Sequence, residues 1–276
     1  LIACSNTLSE NNDVATLISR IKNLEKTDQC PPPDSFKGEL RNYQQYGVNW
    51  MNFLNETGLG GILADDMGLG KTVQTIAFTQ TLERKTPVLI IGPTNVVYNW
   101  HEELKKFAPS AKVFIYTGTA RHKNLDKILA ADYVISTYGV IKNDLTLITG
   151  VQFEAIIIDE AQAIKNPRSQ NAKAIKELNG NFKLALTGTP VENHLQDLWS
   201  IFDFVLPKLL GNQKEFDIDT KEGRKDIIKT KIKPFILRRE KKEVLDSLPE
   251  KTEILIKCPL TDEQNQIYKT VLEAAK

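Results

Sequence analysis

From Leu40 onward, short apolar runs recur with helix-period stretches between them. The runs are Gly61–Ala64, Val88–Ile91, Lys112–Tyr116, Tyr133–Thr137, Ala155–Asp159 and Lys183–Thr187. They start 21 to 28 residues apart, the spacing of strand–helix units whose strands lie parallel. Ile156-Ile157-Ile158 is apolar throughout rather than alternating, as expected of a strand covered on both faces. The pattern predicts an α/β fold: a mostly parallel sheet with right-handed crossovers placing helices on both faces. After Pro190 the texture changes. Leu195, Leu198, Trp199, Phe202 and Leu206 have helical periodicity, and a polar stretch, Asn212–Lys225, follows. Residues 226–246 are basic and predicted helical in parts, with a break at Pro234. Thr261–Lys276 reads as an amphipathic helix capped by Thr261, with Ile267, Val271 and Leu272 on its apolar side. At the other end, Val14, Leu17, Ile18, Ile21 and Leu24 predict one short helix, and Pro31-Pro32-Pro33 a stiff linker.

Composition narrows the classes. At 276 residues the chain is long enough for one large domain or two small ones. With 41% hydrophobic residues it can build a core, which excludes disorder over most of its length. No apolar run approaches the ~18 residues of a membrane span. Lys+Arg is 36 against Asp+Glu 35, so bulk charge says nothing about nucleic acid and any basic surface must be local. Cys4, Cys30 and Cys258 are scattered and odd in number, which fits a reducing setting rather than a disulfide framework. His101, His122 and His194 lack metal-ligand spacing. The chain begins without Met, so it is expected to be a piece of something longer. Leu1-Ile2-Ala3-Cys4 matches a lipoprotein cleavage box, but no charged and apolar leader precedes it.

The strongest local chemistry is Asp65-Asp66-Met67-Gly68-Leu69-Gly70-Lys71-Thr72, directly after a predicted strand. Gly68 and Gly70 allow unusual torsions that bring backbone N–H groups to a phosphate. Thr72 opens a helix whose positive end favours the same anion. Lys71 can reach the β- and γ-phosphates of a nucleotide, and the Thr72 hydroxyl can ligand Mg2+. Asp65 occupies the position of the usual first glycine. The second signal is Asp159-Glu160-Ala161-Gln162 at the end of the strongest strand, the edge where open α/β sheets bind ligands. There Asp159 would hold Mg2+ and Glu160 would polarise an attacking water. Thr187-Gly188-Thr189-Pro190, at the end of the last core strand, would place hydroxyls at the γ-phosphate edge; alone, it reads as a capping turn.

In this order the pieces resemble helicase superfamily two, and within it the SWI/SNF-type remodeller ATPases and DNA translocases. The resemblance runs from about Gly38 to Tyr268. Leu40–Trp50 resembles the adenine-reading segment, which puts Gln44 against the adenine edge. The Asp-Asp-Met-Gly-Leu-Gly-Lys-Thr loop is the family's version. Pro93 with Asn99-Trp100, Tyr116-Thr117-Gly118 and Ser136-Thr137-Tyr138 match further motifs. By this resemblance Pro93, Thr94, Asn95, Gly118, Ser136, Thr137 and Tyr138 touch the phosphate backbone of double-stranded DNA. Asp159–Gln162 with Ile164-Lys165-Asn166 is the metal-and-water box. Gln162 stands where many eukaryotic members have His, which leans toward a prokaryotic member. Gln162, Thr187, Gly188 and Thr189 are the implied coupling residues. Asp197-Leu198-Trp199, Pro207 with Leu209-Leu210-Gly211, and Pro234–Arg239 also resemble the family.

The resemblance implies a domain plan. Residues 1–34 form an N-terminal extension and linker, and 35–192 a RecA-like ATP-binding lobe. Residues 193–247 add a helical protrusion and basic segment, and 248–276, starting with Leu248-Pro249-Glu250-Lys251, lead toward a second lobe. That second RecA-like lobe carries an arginine finger in the family, worth ~10³–10⁵ in rate, and Arg238 and Arg239 do not supply it. The isolated lobe is therefore expected to bind Mg-ATP weakly and to hydrolyse it very slowly. The implied activity is ATP-dependent tracking along duplex DNA without sequence preference. The alternatives are a strand-separating RNA or DNA helicase and an ATP-gated binding scaffold that never turns over. The basic run Lys229–Lys242 reads first as a solvated face and second as a DNA contact. Trp50, Trp100 and Trp199 read as packing residues rather than base-stacking platforms. The expected location is the nucleoid-associated cytoplasm of a prokaryote, or the nucleus in a eukaryote.

Overall fold

The structure, a computed structural model, describes residues 30–119, 121, 125–188, 195–221, 223–244 and 261–274. The expected helix at Val14–Leu24, the segment Thr189–Asn193, the stretch Leu248–Lys251, and Cys4, Cys258, His122 and His194 lie outside these residues.

The chain divides into two compact units, residues 1–244 and 245–276. In the first, the elements run α1 (Asn42–Glu56), β1 (Gly61–Leu63), α2 (Lys71–Thr81), β2 (Val88–Gly92), α3 (Thr94–Phe107), β3 (Val113–Ile115), α4 (Leu125–Ala130), β4 (Tyr133–Thr137), α5 (Tyr138–Asn143), α6 (Leu145–Ile148), β5 (Gln152–Ile158), α7 (Gln170–Lys176), β6 (Asn179–Leu186), α8 (Leu195–Val205), α9 (Gln213–Lys221), α10 (Lys225–Ile232), β7 (Ile236–Leu237) and α11 (Lys241–Val244). All seven strands are parallel, in the order β3-β4-β2-β5-β6-β1-β7. The expected fold class holds.

Topology follows from handedness. The steps β1→β2→β3 move one way across the sheet, while β4→β5→β6 move back. Right-handed crossovers then place α2 and α3 on one face and α5 and α7 on the other. Packing agrees: α1 lies on α2 and α2 on α3, while α5 lies on α7 and α7 on α8. The central strands are covered on both sides, so Leu89, Ile91, Ile156, Ile157 and Ile158 are all buried regardless of which way they point. α3 shows the opposite pattern: Val97, Trp100 and Leu104 form its buried stripe at helical spacing.

One feature departs from the sequence pattern. β7 lies inside the basic segment expected to be helical in parts: Ile236 and Leu237 pair with Ile62 and Leu63 of β1. That gives β1 a neighbour on each side. The segment after the prolines also packs on the core: Phe36 stacks on Phe107 at 5.8 Å, and the Lys37 amide donates to the Phe107 carbonyl at 2.7 Å.

The second unit contains α12 (Asp262–Ala274). Its start is a reciprocal cap: the Gln264 amide donates to Thr261 Oγ1 at 3.3 Å, and the Thr261 amide donates to Gln264 Oε1 at 3.1 Å. Ile267, Tyr268, Val271 and Leu272 are exposed.

Candidate active site

The C-terminal ends of β1, β5 and β6 bring three loops together. After β1 the chain turns through residues 65–70, with Gly68 and Gly70 at φ 87° and 79°, in the left-handed region that suits glycine. Gly70 caps α2 in that conformation, and Lys71 is the first helical residue. Leu69 is fully buried beneath the loop, whereas Met67 is 68% exposed at its tip. Lys71 Nζ donates to the carbonyls of Asp65 at 2.6 Å and Asp66 at 3.3 Å. Burial pulls the Lys71 ammonium below its usual value, opposed by the charges of Asp65, Asp159, Glu160 and Asp66. Thr72 follows, half-buried, in the first turn of α2.

β5 delivers the acids. The Asp159 amide donates to the Ile91 carbonyl at 2.7 Å, carrying the ladder one residue past the strand. Asp159 accepts from the Glu160 amide at 2.8 Å on Oδ1 and from Trp100 Nε1 at 2.8 Å on Oδ2. Its carbonyl accepts from the Tyr138 hydroxyl at 2.8 Å. Burial raises the Asp159 carboxyl above the usual carboxylate range. The Trp100 and Glu160 donors work against that rise. Glu160 is held at φ 53°, ψ 58°, a conformation non-glycine residues seldom adopt. Gln162 Nε2 donates to Glu160 Oε2 at 2.6 Å, and Thr187 Oγ1 donates to Gln162 Oε1 at 3.4 Å.

β6 closes the arrangement. The Thr187 amide donates to the Leu63 carbonyl at 3.1 Å. A Cβ on Gly188 would lie 2.8 Å from Met67 Cγ and 3.6 Å from Lys71 Nζ, so glycine lets the two loops approach. Gln162, Thr187 and Gly188 thus gather beside Glu160 and Lys71; Thr189 lies outside the described residues. Gln44 sits on the phosphate loop, with its Oε1 accepting from the Arg41 amide at 2.9 Å and its Nε2 donating to the Leu69 carbonyl at 3.2 Å. An ammonium, two carboxylates and a threonine hydroxyl around a glycine loop are the donor set that a magnesium–nucleoside triphosphate needs.

The nucleic-acid residues inferred from the sequence divide into two groups. Three of them, Thr94, Gly118 and Thr137, line a groove of about 230 Å³ together with Val97, Tyr98, Thr117 and Val140. Pro93 precedes α3, Thr94 and Asn95 are exposed, and Gly118 stands in the open at φ 80°. Ser136 and Tyr138 do not present their side chains there. Ser136 is fully buried with its hydroxyl on the Tyr116 carbonyl at 2.8 Å, and Tyr138 is 5% exposed with its hydroxyl turned to Asp159. Ser136 is the penultimate residue of β4 and Tyr138 the first of α5; Thr137 between them reaches the groove and caps α5 through the Val140 amide. Tyr98, 65% exposed in the groove, was not anticipated. Behind the groove, Arg121 forks onto buried Asp144 and donates to the Gly118 carbonyl at 2.6 Å. Tyr116 donates to the same Asp144 at 2.9 Å. Burial, with Asp144, pushes the Tyr116 phenol up to about 12.

Sequence reasoning also missed Arg239, which follows β7. Its guanidinium pairs with the Asp65 carboxylate, donates to Gln74 Oε1 at 2.7 Å and to the Tyr43 carbonyl, and lies over the Tyr43 ring at 5.3 Å. The available signal was Asp65 itself: an acid where the loop usually has glycine needs a cation once buried. Spacing could not name a partner 174 residues away. Elsewhere in the basic run, Lys229 and Lys231 are exposed on α10, and Lys242 pairs with Glu240 at 2.7 Å.

Fold and site together define a RecA-like, P-loop ATPase-type domain. The SNF2-related domain profile matches residues 43–276. The chain is 41% identical over 280 residues to YwqA of Bacillus subtilis (strain 168), covering 95% of this chain and 30% of YwqA. It is 36% identical over 273 residues to the human chromatin-remodeling ATPase INO80, covering 88% of this chain and 18% of that protein. Among solved structures, the Sulfolobus solfataricus SWI2/SNF2 ATPase core in complex with dsDNA superposes with a TM-score of 0.75 and 43% identity, covering 90% of this chain and 55% of that one. The chain belongs to the SNF2 family, whose relatives are ATP-dependent helicases and ATPases. It spans less than a third of the length of either curated relative.

Proposed function

We propose that this chain is the ATP-binding lobe of a motor that tracks along double-stranded DNA without sequence preference. The observation that carries the proposal is the convergence of Lys71, Asp159, Glu160 and Gly188 on one glycine loop. In this reading the N–H groups around Gly68, Leu69 and Gly70 cradle the phosphates, with Asp66 and Met67 forming the outer side of the loop. Lys71 leaves its carbonyl partners for the β- and γ-phosphates. Thr72 and Asp159 hold the magnesium ion, whose charge offsets that of the phosphates when it is bound. Glu160 polarises the attacking water, its carboxylate steadied by the Gln162 amide. Gln44 reads the adenine. Gln162 and Thr187, joined to Glu160 by hydrogen bonds, sense the γ-phosphate together with Gly188 and Thr189.

The groove beside Thr94, Gly118 and Thr137 takes the DNA backbone, with Pro93 and Asn95 at its rim. The DNA-bound SWI2/SNF2 core among the structural relatives supports this reading. Hydrolysis and movement need a second RecA-like lobe that supplies the arginine finger. The motor works where duplex DNA is, in a prokaryotic nucleoid or a nucleus.

The test is ATP turnover by the longer protein carrying both lobes, with duplex DNA, single-stranded DNA or structured RNA. Stimulation mainly by duplex DNA, falling steeply with salt, is expected. Stimulation mainly by RNA would move the protein to the RNA helicases. No stimulation by any nucleic acid would leave an ATP-gated scaffold.

A further inference from the structure

We infer that Arg239 is a positioning residue of the nucleotide site: it takes the place of the missing first glycine by clamping the phosphate loop to the adenine-reading helix. The inference rests on the reading that residues 65–72 bind nucleotide phosphates.

The argument starts from Asp65. Its side chain is fully buried, and a buried carboxylate persists only when paired and hydrogen-bonded. Arg239 meets it with a two-point fork, Nε to Oδ1 at 2.9 Å and Nη2 to Oδ2. The remaining donors reach two other elements. Nη1 donates to the Tyr43 carbonyl in α1, and Nη2 donates to Gln74 Oε1 in α2.

The Gln74 contact fixes which way that amide points. With its oxygen on Arg239, its nitrogen faces Asp65 Oδ2 at 3.1 Å and the carbonyls of Leu69 and Gly70 at 3.3 Å each. The Leu69 carbonyl also accepts from Gln44. These two loop carbonyls are therefore occupied on the protein side, which keeps their negative ends away from a bound anion. The main chain repeats the clamp. The Ala64 amide donates to the Leu237 carbonyl at 2.7 Å, the Asp66 amide to the Arg239 carbonyl at 3.0 Å, and the Lys241 amide to Asp66 Oδ2 at 3.1 Å.

The bonds of Arg239 go to Tyr43, Asp65 and Gln74 rather than to Lys71, Asp159 or Glu160. It acts on the nucleotide only through the loop and helix it joins. A lysine at this position could neutralise Asp65 but could not span all three partners.

The test measures binding of a fluorescent ADP analogue to the 276-residue chain, with thermal melting recorded on the same samples. Arg239→Met and Arg239→Lys should each weaken nucleotide binding about tenfold, the equivalent of about 1.4 kcal/mol, in protein that is still folded at the assay temperature. Asp65→Gly restores the usual loop glycine and removes the charge Arg239 serves. In that background Arg239→Met should change affinity less than about twofold. A role in stability alone would lower the melting temperature and leave the affinity of the folded protein unchanged. Should Arg239→Met fail to fold, Arg239→Lys, measured alone and in the Asp65→Gly background, decides the question by the same limits. The inference is overturned if Arg239→Lys binds within twofold of wild type, or if Arg239→Met costs as much in the Asp65→Gly background as alone. Absence of nucleotide binding by the wild type, with no difference from Lys71→Ala, would instead sink the nucleotide-site reading.

Discussion

Replacing Trp100 by Phe tests how the Asp159 carboxylate is held. Trp100 is 2% exposed, and its indole N–H is 2.8 Å from Asp159 Oδ2. The substitution keeps an aromatic ring on the core side of α3 and removes the donor. A hydrogen bond to a charged group contributes about 1.5–3 kcal/mol. The smaller ring leaves a gap costing about 1 kcal/mol more. The expected loss is about 3 kcal/mol, or about 6–12 °C in Tm for a domain of this size. The loss should depend on pH. Burial raises the Asp159 carboxyl while Trp100 holds it down, so Phe lets it rise further. A carboxyl raised in the native state contributes stability at low pH that is lost as pH climbs through its native value. The Trp100 bond counts only once Asp159 is ionised, so the deficit of Trp100→Phe should be larger at pH 7.5 than at pH 5. Urea denaturation of both proteins at the two pH values measures it. A deficit below 1 kcal/mol that is equal at both would refute an ionised Asp159 anchored by Trp100.

Other consequences can be measured directly. Gly70→Ala should abolish nucleotide binding and cost about 1–2 kcal/mol of stability, because φ is 79° and the new Cβ would lie 2.6 Å from Gln44 Nε2; binding titrations with urea curves check both. Glu160→Gln should keep nucleotide binding and lower turnover of the two-lobed protein by at least about a hundredfold; turnover within tenfold of wild type would remove Glu160 from the reaction. Burial raises the phenols of Tyr116, Tyr133 and Tyr138, Tyr116 to about 12. An unfolded phenol ionises near ~10, so stability should fall as pH rises from about 10 toward 12. Phenolate absorbance and circular dichroism should then change together in that range, and early ionisation of all three in folded protein would contradict their burial.

The parts of this protein legible in the sequence are those where one local rule acts alone. Ile156–Ile158 has the unbroken apolar run expected of a doubly covered strand, and Gly68 and Gly70 before Lys71 have the spacing of a tight loop at a helix start. β7 was not legible because two apolar residues, Ile236 and Leu237, carry no periodicity, and the basic residues around them point to a helix. What makes them a strand is the open edge of β1. The resemblance implies that Ser136 and Tyr138 contact a phosphate backbone, yet Ser136 turns its hydroxyl to the Tyr116 carbonyl and Tyr138, opening α5, turns its own to Asp159, so Thr137 alone of the three lines the groove. Arg239 was illegible for a different reason: its place is set by Asp65, Gln74 and Tyr43, which only the folded sheet brings within reach.

The position of β1 between β6 and β7 has a consequence for synthesis. Of the seven strands in this sheet, the first to leave the ribosome is the last to gain both neighbours, since Leu184–Leu186 and Ile236–Leu237 emerge long after Gly61–Leu63. Contacts that distant in sequence form slowly, and an unpaired strand edge invites association in the meantime. Until residue 239 is made, Asp65 has no guanidinium to meet and the phosphate loop has no clamp. A nascent chain stalled before that point would present a nearly complete sheet with an open edge at β1.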